Sequence, residues 1–343
     1  MHGGDRYRNQ VKMDFSVNIN PFGMPMKVQK ILRDAVGECV YYPDAHAEEL
    51  KKALSAQYGV DENKILVGNG ASELFAALFH ALRPKQLLTH APGFFGYRHA
   101  AEMVGCKIEE FLLTKENGFV LTPHFMESID TSYDLVILTQ PNNPTGKLID
   151  ENLLYDILEK TAKLCIPVLL DACFYELSGG CMKELAQWTK KYPQLIVIGA
   201  FTKNYGMPGI RLGYGIVGSI ECKEKIQRQL PEWNVSYIAQ KAGVAALNET
   251  EYLEETVTYL QKERLFFIEN LKKLGIEVFA TDANFILIKT EKPLYDLLLR
   301  RNILIRSCED FTGLSEQYFR LCIKKREENV MLLHELEEIY GKD

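Results

Sequence analysis

Six short apolar runs, each followed closely by a polar or aromatic group, constrain this chain more than anything else in it. They are KILVG (64–68), QLLTH (86–90), DLVILT (134–139), IPVLLD (166–171), LIVIG (195–199) and LGYGIV (212–217). Between them lie amphipathic, helix-like stretches near 44–58, 71–83, 96–104, 150–163 and 181–191. Runs of Val, Ile and Leu without polar alternation read as strands buried on both faces, and their alternation with helices predicts a mostly parallel central sheet. The fold class is therefore α/β, an α/β/α sandwich.

After residue 248 the pattern changes. Leu253, Val257, Leu260, Ile268 and Leu271 mark one stripe of a long helix that Gly275 would end, and short strands (276–280, 284–288, 303–306, 318–323) and helices (293–301, 325–341) follow. The expected organisation is a large domain over 41–248 and a small α+β domain over 249–343, which the N-terminal segment 1–40 joins.

Composition enters by exclusion. A net charge of −6 with no Lys/Arg-rich run offers no footprint for nucleic acid. No segment reads as a signal peptide or a membrane span. The eight cysteines have no CxxC spacing, which speaks for reduced thiols and against a metal site. A cytoplasmic enzyme is the expectation.

Ligands in an open parallel sheet bind beyond the carboxyl ends of the strands. Here those ends carry Asn69-Gly70-Ala71-Ser72 opening a helix, Pro92-Gly93-Phe94, Asn142-Asn143-Pro144-Thr145-Gly146, Asp171, and Thr202-Lys203. Singly, each has an ordinary reading as a turn, a cap or a core residue. Jointly they match what pyridoxal 5'-phosphate requires. Lys203 supplies the amine for a Schiff base, Asp171 a carboxylate for the pyridine nitrogen, and Asn143 a donor to the ring hydroxylate. Phe94 is placed to stack on the ring. The Gly70 turn with the free amides of Ala71 and Ser72, the Thr202 hydroxyl and the Arg211 guanidinium form a phosphate cup.

With these residues, Asn143-Pro144-Thr145-Gly146, Thr202-Lys203 and Pro208-Gly209-Ile210-Arg211-Leu212-Gly213-Tyr214 resemble, nearly end to end, the fold-type I pyridoxal-phosphate enzymes of the class I/II aminotransferase group. Tyr42-Pro43-Asp44 resembles an element whose tyrosine reaches the partner subunit's cofactor, which implies a homodimer. Ala283-Asn284-Phe285 with Arg306 and Arg320 is similar to the histidinol-phosphate aminotransferase branch. The opening, His2-Gly3-Gly4-Asp5 followed by Asn18-Ile19-Asn20-Pro21, is similar to that of the threonine-phosphate decarboxylases of cobalamin biosynthesis. That resemblance implies a small phosphorylated amino-acid substrate. Arg320 would bind its α-carboxylate with Asn20 assisting, and Arg306 and His2 would be candidates for its phosphate. Two positions depart from the group: Phe174 stands where many relatives have a tyrosine, and Ala200 where a hydroxyl is common.

Decarboxylation of L-threonine O-3-phosphate to 1-aminopropan-2-ol phosphate is thus the leading expectation, with a histidinol-phosphate-type transfer to 2-oxoglutarate as the alternative. The two share every cofactor residue and differ in which bond stands perpendicular to the ring. A non-catalytic cofactor-binding relative is disfavoured by the intact Lys203, Asp171, Asn143 and Arg211 set.

Overall fold

The computed structural model of the chain describes residues 3–5 and 7–341. In chain order its strands are β1 (Met13–Asp14), β2 (Ile65–Gly68), β3 (Gln86–Ala91), β4 (Lys107–Leu112), β5 (Leu135–Thr139), β6 (Val168–Asp171), β7 (Leu195–Ala200), β8 (Gly213–Val217), β9 (Glu277–Val278), β10 (Phe285–Lys289), β11 (Ile303–Leu304), β12 (Arg306–Ser307) and β13 (Tyr318–Cys322).

The seven strands β2 to β8 form one sheet in the order β2-β8-β7-β6-β5-β3-β4. All neighbours run parallel except β8, which is antiparallel to both β2 and β7. Alternate residues of these strands pack into two different cores. Leu66, Leu87, Ile137, Leu169 and Ile198 join the helices Ala71–Leu82 and Gly96–Val104 on one face. Val67, Leu88, Val136, Leu170 and Val197 join the helices Glu48–Tyr58, Glu151–Lys163 and Met182–Lys191 on the other. Both faces are dry, so the strands need no polar alternation.

A second sheet, β12-β13-β10-β9, is antiparallel and packs its apolar side on the 24-residue helix Thr250–Lys273 and the helix Arg326–Tyr340. The N-terminal segment divides between the two halves. β1 pairs in parallel with β11, so this part joins the small domain. The following helix Met26–Ala35 instead packs on the helix Tyr237–Leu247 of the large domain, contrary to the expectation that all of 1–40 belongs with the small one. The fully buried Val28, part of the large-domain core, drives that attachment. Among the described residues no helix is long and apolar enough to cross a membrane.

Candidate active site

A cavity of about 340 Å³ opens at the carboxyl ends of the parallel strands. That is the volume of a small-molecule site. Its walls come from both domains. The large domain contributes Ala71, Ser72, Phe94, Asn143, Asp171, Thr202, Lys203 and Arg211, and the small domain Arg306, Phe311 and Arg320. Gly3, Ser16, Val17 and Asn18 of the N-terminal segment close the remaining side.

The anion cup is built by close backbone approach. Gly70 precedes the helix Ala71–Leu82 at φ +81°, and a Cβ there would stand 2.5 Å from Arg211 Nη2. The left-handed backbone therefore favours glycine, and a side chain there would push the Arg211 guanidinium aside. Arg211 itself has φ 61°, in the left-handed region. It donates from Nη2 to Ser72 Oγ at 3.3 Å and from Nη1 to the Pro208 carbonyl at 3.2 Å. A guanidinium thus converges with the unpaired amides of a helix start, a ready site for a phosphate.

Lys203 follows β7 on the short helix Phe201–Asn204. Its Nζ lies 5.8 Å from the centroid of the Phe174 ring, so the departure from tyrosine sets an apolar face beside the amine. Burial, with Arg320 and Arg211 nearby, pulls Lys203 down to about 8, leaving an appreciable neutral fraction near neutrality. Asp171 ends β6. Its Oδ1 accepts from the Cys173 amide at 3.0 Å and its Oδ2 from the Tyr97 hydroxyl at 2.6 Å. Burial pushes the Asp171 carboxyl up, and these two donors pull it back.

On the opposite wall, Arg320 projects from β13 and Arg306 from β12, each only 6% exposed. Arg320 donates from Nη1 to Asn143 Oδ1 and from Nη2 to the Ser16 carbonyl at 2.7 Å, while its buried Nε has no protein partner. Burial draws its guanidinium down to about 10, still charged at neutral pH. Arg306 is held by Asp310 (2.8 and 3.0 Å) and the Ser307 carbonyl (2.7 Å).

These groups fit pyridoxal phosphate: an anion cup, a neutralisable amine, a buried carboxylate and an aromatic wall share one cavity. Two of the sequence assignments lie elsewhere in the described structure. Asn20 is not in the cavity wall; its amide donates to the Asn204 carbonyl (2.8 Å) and Thr256 Oγ1 (3.0 Å), and its Oδ1 accepts from the Phe22 amide (2.9 Å). Both its amide hydrogens are thereby taken up, one of them by the turn that carries Lys203. Asn18, two residues earlier, lines the cavity with a buried, unpaired Oδ1. Tyr42 is 81% exposed and packs against Trp233 with ring centroids 5.0 Å apart and planes tilted by 42°, outside this chain's own cavity. His2 lies outside the described residues. Tyr97 and Cys173 escaped the sequence reading altogether. Tyr97 sits in Phe94-Phe95-Gly96-Tyr97, where the one hydroxyl in an aromatic cluster was the available signal.

The profile of the family described as aminotransferase class I and II matches residues 10–336. Over 334 residues the chain is 34% identical to the threonine-phosphate decarboxylase of Salmonella typhimurium, spanning 95% of this chain and 91% of that protein. It is 32% identical over 329 residues to histidinol-phosphate aminotransferase 2 of Carboxydothermus hydrogenoformans, spanning 94% and 89%. The crystal structure of the histidinol-phosphate aminotransferase from Clostridium acetobutylicum superposes with a TM-score of 0.91 at 31% identity, covering 96% of this chain and 100% of that one.

Proposed function

The chain belongs to the class I and II aminotransferase family, and within it we propose a pyridoxal-phosphate-dependent decarboxylase of L-threonine O-3-phosphate, yielding 1-aminopropan-2-ol phosphate for cobalamin biosynthesis. One observation carries the choice over transamination. Of the His-Gly-Gly opening that resembles the decarboxylases, the described Gly3 lines the cavity, and the Gly4 amide donates to Ser16 Oγ at 2.8 Å.

The substrate carries two anionic groups, and two buried arginines share the cavity. Arg320 takes the α-carboxylate, using the Nε that has no protein partner. Arg306, anchored by Asp310, takes the substrate phosphate. Bound pyridoxal phosphate supplies the electron sink for the bond broken at the substrate α-carbon. Arg211, Ser72 and the Ala71 amide hold the cofactor phosphate, and Asp171 stabilises a positive pyridine nitrogen. After carbon dioxide leaves, Lys203, protonated in part because its value lies near 8, returns a proton to the α-carbon. The same lysine would abstract the α-hydrogen in a transaminase, so the orientation Arg320 imposes on the carboxylate decides the outcome. A homodimer, with Tyr42 reaching the second copy's phosphate cup, completes the proposal.

The test is incubation of holoenzyme with L-threonine O-3-phosphate in the absence of any keto acid. Carbon dioxide release over many turnovers is expected. No release, combined with glutamate formation from histidinol phosphate and 2-oxoglutarate, would sink the decarboxylase reading.

A further inference from the structure

We infer that Tyr97 is a positioning residue that fixes the charge and orientation of Asp171 toward the cofactor's ring nitrogen; this rests on pyridoxal phosphate being the group bound. Asp171 and Thr139 line the cavity and Tyr97 does not. The Tyr97 hydroxyl reaches the carboxylate from behind, 2.6 Å from Oδ2, and the Thr139 hydroxyl stands 3.1 Å from the same phenol oxygen. The three side chains are 3–5% exposed.

The phenol ring cannot swing away. It packs edge-on against Phe75 (5.3 Å, 78°) and against Phe94 (5.4 Å, 82°). Burial and the adjacent Asp171 push the Tyr97 hydroxyl well above its ordinary range, so it remains a proton donor throughout the working pH range. With the phenol proton given to Asp171, Thr139 can donate in turn to the phenol oxygen. The result is a relay of two hydroxyls polarised toward one carboxylate oxygen, in surroundings where such dipoles act strongly.

Burial raises the Asp171 carboxyl, and the Tyr97 hydroxyl and the Cys173 amide act against that rise while fixing both carboxylate oxygens. An ionised, oriented carboxylate attracts a protonated pyridine nitrogen; a neutral or rotated one does not. A tyrosine kept only for packing would owe nothing to that nitrogen, since Thr139 alone could satisfy its hydroxyl.

The experiment compares dissociation constants of apoenzyme for pyridoxal phosphate and for its carbocyclic analogue, in which C–H replaces the ring nitrogen. Tyr97→Phe keeps the ring and its packing. It is expected to weaken pyridoxal phosphate roughly 10-fold, the equivalent of one hydrogen bond to a charged group, while changing the analogue's affinity by less than about twofold. Equal weakening of both ligands, or of neither, overturns the inference. Thr139→Val provides the same comparison should Tyr97→Phe fold poorly, with a smaller loss confined to pyridoxal phosphate expected and a loss shared by both ligands contradicting it. Wild-type protein that binds neither ligand would instead defeat the cofactor reading, and this inference with it.

Discussion

Arg320 Nη1 donates to Asn143 Oδ1, so a strand of the small domain is pinned to the turn that follows β5 in the large one, 177 residues away. Because Nη2 is committed to the Ser16 carbonyl as well, the guanidinium is oriented before any substrate arrives. Arg320→Lys would keep the positive charge but lose this planar fork. A fall in kcat/KM of roughly 100-fold, about 2.7 kcal/mol, is expected with L-threonine O-3-phosphate, while the visible absorbance of bound cofactor persists. Steady-state kinetics and a spectrum of the same sample check it. Unchanged kcat/KM would remove Arg320 from the carboxylate site.

Lys203, pulled down to about 8 by burial and its two arginine neighbours, is a nucleophile only in its neutral form. Apoenzyme should therefore capture pyridoxal phosphate faster as pH rises through 8, with the rate levelling above it; an ordinary lysine would keep accelerating toward its value near 10.4. Stopped-flow absorbance from pH 6.5 to 9.5 measures the inflection. Lys203→Ala should lose both the absorbance of the bound lysine adduct and turnover.

Gly70→Ala would place a methyl within 2.5 Å of Arg211 Nη2 and force a non-glycine residue to φ +81°. Displacement of Arg211 should weaken pyridoxal phosphate by about tenfold yet leave unphosphorylated pyridoxal nearly unaffected, with a stability loss of about 1–2 kcal/mol. Titration with the two ligands distinguishes damage to the anion cup from general misfolding, which would weaken both.

Glu176, half-buried behind the site, accepts from Asn204 Nδ2 at 2.6 Å and from the Tyr58 hydroxyl at 3.4 Å, and burial raises its carboxyl from 4.5 up to about 7. Between those values the folded chain holds a proton the unfolded chain has released, so this group makes stability fall as pH rises through that window. The loss is complete above pH 7 and absent below 4.5. Glu176→Gln should cancel this slope. Relative to wild type the variant is expected to gain about 1–3 kcal/mol between pH 4.5 and 7.5, on top of a constant loss from one mismatched hydrogen bond. Urea titrations at several pH values read this difference, and parallel pH profiles for the two proteins would contradict it.

Much of the large domain could be read directly because its strands are buried on both faces and leave unbroken apolar runs. β4 could not. Its sequence Lys107-Ile108-Glu109-Glu110-Phe111-Leu112 belongs to the sheet edge, paired only with β3, where charged residues are tolerated. The helix Tyr237–Leu247 was hidden by its alanine-rich, weakly patterned surface. In the site, the strand-end rule brought Lys203, Asp171, Asn143 and the phosphate cup together, because each lies at one end of a recognisable strand. It had no purchase on the irregular N-terminal segment. Asn18 and Asn20 lie two positions apart, and only the tertiary partners Asn204 and Thr256 decide which amide is consumed. Tyr97 was invisible for a similar reason: its hydroxyl acts on Asp171 across 74 positions of sequence.

The bond from Arg320 to the Ser16 carbonyl joins residues 304 positions apart. On a translating ribosome, at about 5–20 residues per second, Arg320 is polymerised roughly 15–60 s after Ser16. During that interval the large-domain sheet can form, but the substrate side of the pocket cannot. A nascent chain could therefore recruit cofactor through Lys203 and Arg211 well before it is able to discriminate among amino acids, so vitamin loading and substrate selectivity would arise at different moments of biosynthesis.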